Sequence, residues 1–92
     1  MANQIKGRLK SVGLPQRGST GKKAWVKVDF IITEEGTYPK DICMTAWGVT
    51  AEEIMTWDIG DVLCVNVSIE SREYQNRWYT NIIAVKAFNS YK

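Results

Sequence analysis

In "AWVKVDFIIT" apolar residues recur at every second position: Val26, Val28, Phe30 and Ile32 alternate with an outward set of Trp25, Lys27 and Asp29. A period of two is the pattern of a strand with one buried face, and no helix can use it that way. The same period returns four more times. "QIKGRLKSV" sets Ile5, Gly7 and Leu9 against Lys6, Arg8 and Lys10. "YPKDICMTAWG" sets Ile42, Met44 and Ala46 against Asp41, Cys43, Thr45 and Trp47. "DVLCVNVSIES" places Leu63, Val65, Val67 and Ile69 at core spacing, and "RWYTNIIAVKAF" follows across the turn "YQN". A glycine inside the first pattern, Gly7, marks a bend, a bulge or a close backbone approach. "GLPQRGSTGKK" reads as a loop because three glycines and a proline crowd into it.

The period changes once. "TAEEIMTW" starts on Thr50 with Glu53 three residues later, the spacing of a capping box, and puts Ala51, Ile54 and Met55 on one helical face. A short helix there would plug the open end of a sheet, ending by Asp58 and Gly60. Three strands, a helix and two strands is the element order of the OB-fold, a five-stranded Greek-key barrel. Another small β-barrel, or a two-layer α+β sheet, would share that order. The expected fold class is therefore all-β, with residues 1–92 forming one domain, a size at which the core must be efficient.

A formal net charge of +2 announces no partner, but the distribution of charge does. The first 27 residues hold Lys6, Arg8, Lys10, Arg17, Lys22, Lys23 and Lys27 and no acid. Such a half can attract anions locally whatever the total charge. No apolar run approaches the ~20 residues of a membrane helix, and "MANQIKGRLK" lacks the apolar stretch of a signal peptide, so a cytoplasmic protein is expected. Cys43 and Cys64 stand alone in strand-like runs and are expected to be reduced, neither paired nor holding a metal.

From "TAWG" to "RWYT" the chain resembles the bacterial single-stranded DNA-binding proteins. These carry a strand ending in aromatic-Gly, a short helix, a Gly-led alternating strand, Arg-x-aromatic, a turn, and aromatic-Tyr-Thr. The matching residues are Trp47-Gly48, the helix after Thr50, Gly60 to Ile69, Arg72-Glu73-Tyr74 and Trp78-Tyr79-Thr80. The chain is similar, more closely still, to a family of small uncharacterised bacterial proteins that look like minimal relatives of these. For that likeness it supplies Trp25, Lys27 and Phe30; Tyr38, Pro39, Cys43 and Trp47; and Glu70 to Glu73 with Arg77 to Thr80. Asn76 stands where that family usually has glycine, and asparagine suits a turn. The resemblance covers nearly the whole chain and implies an OB-fold that binds single strands. The chain stops at "FNSYK", without the flexible linker and acidic tip by which single-strand-binding proteins recruit other enzymes, so recruitment by a tail is not expected.

Binding single strands without regard to sequence takes basic side chains along the phosphates and flat rings on which bases stack. OB-folds present both on the face of strands 2 and 3 and on the loops joining strands 1–2 and 4–5. The outward sets place Trp25, Lys27 and Trp47 on that face, with Tyr38 and Lys40 where the third strand begins. Arg17, Lys22 and Lys23 fall in the first loop, and Arg72, Tyr74 and Arg77 flank the second. Aromatics in a small barrel also build its core, and Trp57 and Trp78 are read in that way; Trp78 and Thr80 would fasten the hairpin. Trp25 and Trp47 stand between stacking platforms and a dimer interface. Lys6, Arg8 and Lys10 read as a solvated strand face.

No enzyme is expected. The sequence has no histidine, no glycine-rich phosphate loop leading into a helix, and no cysteine/histidine cluster, so no cofactor or metal is expected either. Two functions remain open. One is a nucleic-acid module, for single-stranded DNA first and RNA second; the other is a protein-interaction module using the same aromatic face. Outward Val62, Cys64, Ile83 and Val85 favour self-association, as a dimer or a higher oligomer.

Overall fold

A computed structural model describes residues 3–90. The elements are β1 (Asn3–Val12), β2 (Gln16–Thr20), β3 (Lys23–Glu34), β4 (Lys40–Trp47), α1 (Gly48–Ile54), β5 (Val62–Tyr74) and β6 (Arg77–Asn89). β1 is shared between two neighbours: Asn3 to Arg8 pair with β5, and Gly7 to Val12 pair with β3, both antiparallel. With β5–β6 and β3–β4 also antiparallel, the ring closes where β4 meets β6 in parallel. That last seam is short, Thr45 opposite Ile83 and Ala46 opposite Ala84. The result is the five-stranded ring of an OB-fold, unevenly zipped, with β2 attached to β3 alone.

Gly7 sits where β1 changes partners. A β-carbon there would lie 2.3 Å from the Thr33 carbonyl oxygen and 2.6 Å from Ile32 Cγ2, so only glycine lets β1 cross so close to β3. The register then slips between Leu9 and Ser11, a bulge that adds the coil a barrel strand needs. Backbone bonds from Leu9 N to the Asp61 carbonyl (2.9 Å) and from Gly60 N to the Leu9 carbonyl (2.8 Å) anchor the bend.

The inward side chains are those the alternation selects. Leu9, Val28, Phe30, Ile32, Met44, Ala46, Leu63, Val65 and Val67 are buried, and Ala51 and Ile54 of α1 close one end over them. Val26, Ala84 and Ala87 complete the cluster, with Trp57 half-buried against it.

Four local expectations change. Residues 16–20 form a strand rather than loop: Thr20 pairs with Lys23 and Gly18 with Trp25 across a two-residue turn whose Gly21 has φ +61°. β2 buries no side chain, so it leaves no apolar period; backbone pairing and glycine's left-handed turn create it. The helix starts at Gly48, not Thr50, and Thr50 makes no capping box. Trp47 is the N-cap residue without a side-chain cap, and the Thr50 hydroxyl donates to the Val85 carbonyl at 3.4 Å. The helix also ends sooner, at Ile54. Ile69 and Trp78 keep their inward parity but are 53% and 70% exposed, because β5 and β6 outrun the barrel. Residues 69–81 are exposed throughout and form a projecting two-stranded arm.

Candidate nucleic-acid interface

The outer face of β3 and β4 is built by the same alternation that fills the core. Inward Val26 and Val28 turn Trp25 and Lys27 outward, and inward Ala46 does the same for Trp47. Register then puts Lys27 opposite Trp47 and Trp25 diagonally next to it. The two indole centroids are 5.8 Å apart with planes tilted by 55°, and Lys27 Nζ lies 5.5 Å from the Trp47 ring centre. Trp25 and Trp47 remain 38% and 47% exposed, so this aromatic corner is open to solvent.

Trp25 needs a floor, and β2 provides it. A β-carbon on Gly18 would stand 2.5 Å from Trp25 Cζ2 and 2.7 Å from Cε2, so the indole lies directly on the glycine. An aromatic covering a cross-strand glycine is a recognised way of stabilising a glycine in a sheet.

The arm supplies the facing wall. Its tip is a two-residue turn in which Gln75 and Asn76 have φ of 51° and 63°, the type I′ geometry that asparagine tolerates. Counting outward from that turn, Tyr74 pairs with Arg77, Arg72 with Tyr79 and Glu70 with Asn81, which places all six on one face. Ser71 and Thr80, on the opposite face with Glu73 and Trp78, join the strands through a 3.0 Å hydroxyl contact. The first face continues into the barrel surface: Lys27, Thr45 and Trp47 share a groove with Glu70, Arg72 and Asn81. Asn81 and the exposed Tyr79 are not among the site residues expected from the sequence, although counting strand register from the turn "YQN" would have placed both beside Arg72.

Ion pairs sort the cations into two groups. Arg8 Nε meets Glu35 Oε1 at 2.8 Å, Arg17 Nη1 meets Glu52 Oε1 at 2.9 Å, and Lys10 Nζ meets Asp41. Lys22, Lys23, Lys27, Lys40, Arg72 and Arg77 have no ion pair among the described residues. Arg17 pairs with Val26 across the β2–β3 hairpin and so lies on the side away from Trp25, held by α1. Lys22 and Lys23 cap the tip of that hairpin. Lys40 begins β4 at the far end of β3–β4, ~23 Å from Trp47 at ~3.3 Å per strand residue, and Tyr38 lies beyond it. Between them the same outer face carries Asp29, which accepts from Thr45 Oγ1 (2.8 Å), and Asp41. Hydrogen bonds from Lys10 and then Thr33 hold the Asp41 carboxyl below its ordinary pKa.

A family model described as "Domain of unknown function (DUF3127)" matches residues 4–87. The chain belongs to the DUF3127 family. The match agrees with the family of small proteins to which the sequence motifs point, and the structure adds the architecture of this chain. It is similar to the SSB domain of a protein from Synechococcus sp., at 11% identity and TM-score 0.67, over 94% of this chain and 91% of that one. It is also similar to a small single-stranded DNA-binding protein from Streptomyces coelicolor, at 14% identity and TM-score 0.54, over 98% and 94% of the two chains. No match was found among curated protein sequences. At these identities the likeness establishes that the DUF3127 chain has the OB-fold of single-strand-binding domains. Among the described residues no helix is long and apolar enough to cross a membrane, and no group of three or more acidic or cysteine side chains could hold a metal ion.

Proposed function

We propose that this protein binds single-stranded nucleic acid, DNA before RNA, largely without regard to sequence, and does no chemistry on it. One observation carries the reading: two exposed tryptophans stand side by side on one face, and Trp47 lines a groove whose cations, Lys27 and Arg72, have no ion pair among the described residues. Bases stack on Trp47 and Trp25, each stack being worth ~1–3 kcal/mol. Lys23 and Lys27 on β3 and Arg72 on the arm hold the phosphates beside them. Tyr74 and Arg77 extend the track to the arm tip and Lys22 to the tip of the β2–β3 hairpin. Tyr38 and Lys40 serve only a strand long enough to pass the Asp29 and Asp41 carboxylates, and Arg17 serves only after leaving Glu52. The relatives' single-stranded DNA binding supports the same assignment by analogy of fold.

Titrating the protein with oligo(dT) at two salt concentrations tests it. Tryptophan fluorescence should be quenched, and affinity should fall steeply with salt as counterions are released from the strand. Duplex DNA, whose bases are already stacked, should bind more weakly. A protein-docking surface would instead give no quenching with any oligonucleotide, and that result would refute the proposal.

A further inference from the structure

The groove beside Trp47 contains a group that phosphate binding does not explain. Glu70 lines it together with Arg72 and Asn81, and a carboxylate repels the backbone that Lys27 and Arg72 attract. Among the described residues Glu70 has no side-chain ion pair, hydrogen bond or ring contact. It does not cap the turn, and its cross-strand partner is Asn81, a neutral amide that lines the same groove. An acceptor-only carboxylate and an amide next to an exposed indole match the edge of a base, not a phosphate.

We propose that Glu70, with Asn81 across from it, reads the Watson–Crick edge of the base stacked on Trp47 and favours guanine. This rests on the binding reading above and adds a preference to it. Guanine alone among the DNA bases presents two adjacent donors on that edge, N1–H and N2–H2, which a carboxylate accepts with both oxygens. Cytosine and adenine offer one exocyclic amino group beside an acceptor nitrogen. Thymine offers one N–H between two carbonyls that repel the carboxylate. Single-stranded bases expose these edges, so such readout is open to an OB-fold groove. Because the groove is open to solvent, the preference should fall at the low end of the range of a good bidentate pair, about tenfold.

The experiment uses the full chain and dT strands carrying spaced guanines, with matched strands carrying hypoxanthine, which lacks only the N2 amino group, and plain dT as the reference. The wild type should bind the guanine strand about tenfold more tightly than the hypoxanthine and dT strands. Glu70→Gln, exposed and isosteric, cannot accept both donors and should abolish the guanine-over-hypoxanthine ratio while binding dT at least as well. Equal wild-type affinity for guanine and hypoxanthine strands would overturn the inference and leave the binding reading standing. So would an E70Q variant that binds every strand more tightly by one common factor, since Glu70 would then act only by repulsion. Absence of quenching by all three strands would refute the binding reading, and this inference with it.

Discussion

Between Val62 and Ser68, β5 buries every second side chain in the barrel; between Ile69 and Tyr74 the same strand, with the same alternation, buries none. Its partner β6 divides in the same way, exposed from Arg77 to Asn81 and packed at Ala84 and Ala87. Root and tip share one ladder and one twist, so what separates them is only whether another layer lies across the inward face. At the root the side chains are fixed by packing. At the tip the ladder, the type I′ turn and the Ser71–Thr80 contact hold the backbone, which leaves the side chains free to serve a ligand. An arm of about six residues per strand, roughly 20 Å long, that carries Arg72, Tyr74, Arg77, Trp78 and Tyr79 is therefore a surface element rather than a piece of core.

The largest effect should separate the two regions by stability. Phe30→Ala, which empties a fully buried position, should cost ~3–5 kcal/mol in urea denaturation. Trp78→Ala, in the arm, should stay within about ±0.5 kcal/mol. A Trp78→Ala variant that unfolds would return this ring to the core and erase the distinction between root and tip.

Next in size is the floor under Trp25. Gly18→Val should expel the indole, remove the near-ultraviolet circular dichroism of the Trp25–Trp47 pair, and weaken dT binding by the loss of one stack, about five- to hundredfold. An unchanged dichroism signal would mean that β2 does not set the platform.

Smaller again is the arm tip. Replacing Tyr74 and Arg77 together by alanine should leave unfolding nearly unchanged. The double variant should bind dT more weakly, and its log–log salt slope should be flatter by ~0.7, because one phosphate no longer meets a cation. A double variant with wild-type affinity and slope would confine the interface to the barrel face.

The smallest effect lies outside both regions. Lys10 and Thr33 lower the Asp41 pKa, so the folded state gains from that carboxylate at pH above its unfolded value of about 3.9, and loses the gain as pH falls through the lower folded value. Lys10→Ala should raise the Asp41 pKa toward its ordinary value in a carboxyl NMR titration and flatten the stability profile in that acid window alone. An unmoved pKa would show that Lys10 leaves Asp41 alone in solution.

What could be read from the residues follows the same division. The alternation of Val26, Val28, Phe30 and Ile32 and of Leu63, Val65 and Val67 marked out the barrel walls, because burial imposes its period on a sequence. Gly7 announced the close crossing of β1 for a steric reason that a single residue can carry. β2 left no such trace, since Gln16–Thr20 buries no side chain and its glycine and hydroxyls look like turn residues. The Thr50–Glu53 spacing satisfied a capping motif, yet the chain enters the helix from Gly48 with φ +61° and uses Thr50 elsewhere. Ile69 and Trp78 show that parity is local while burial is tertiary: the alternation says which way they point but not where the barrel ends. The outward positions of Trp25, Lys27 and Trp47 were legible for the reason the walls were. That Arg17 is neutralised by Glu52, while Lys27 has no such partner among the described residues, was not, because those pairings join elements far apart in the chain.

The four tryptophans are natural reporters of the proposed interface. On adding oligo(dT) in an NMR titration, the indole N–H signals of Trp25 and Trp47 should move together. Those of Trp57, packed against the core, and Trp78, on the opposite face of the arm, should stay in place. Movement of Trp78 while Trp25 and Trp47 remain still would contradict the account at its centre.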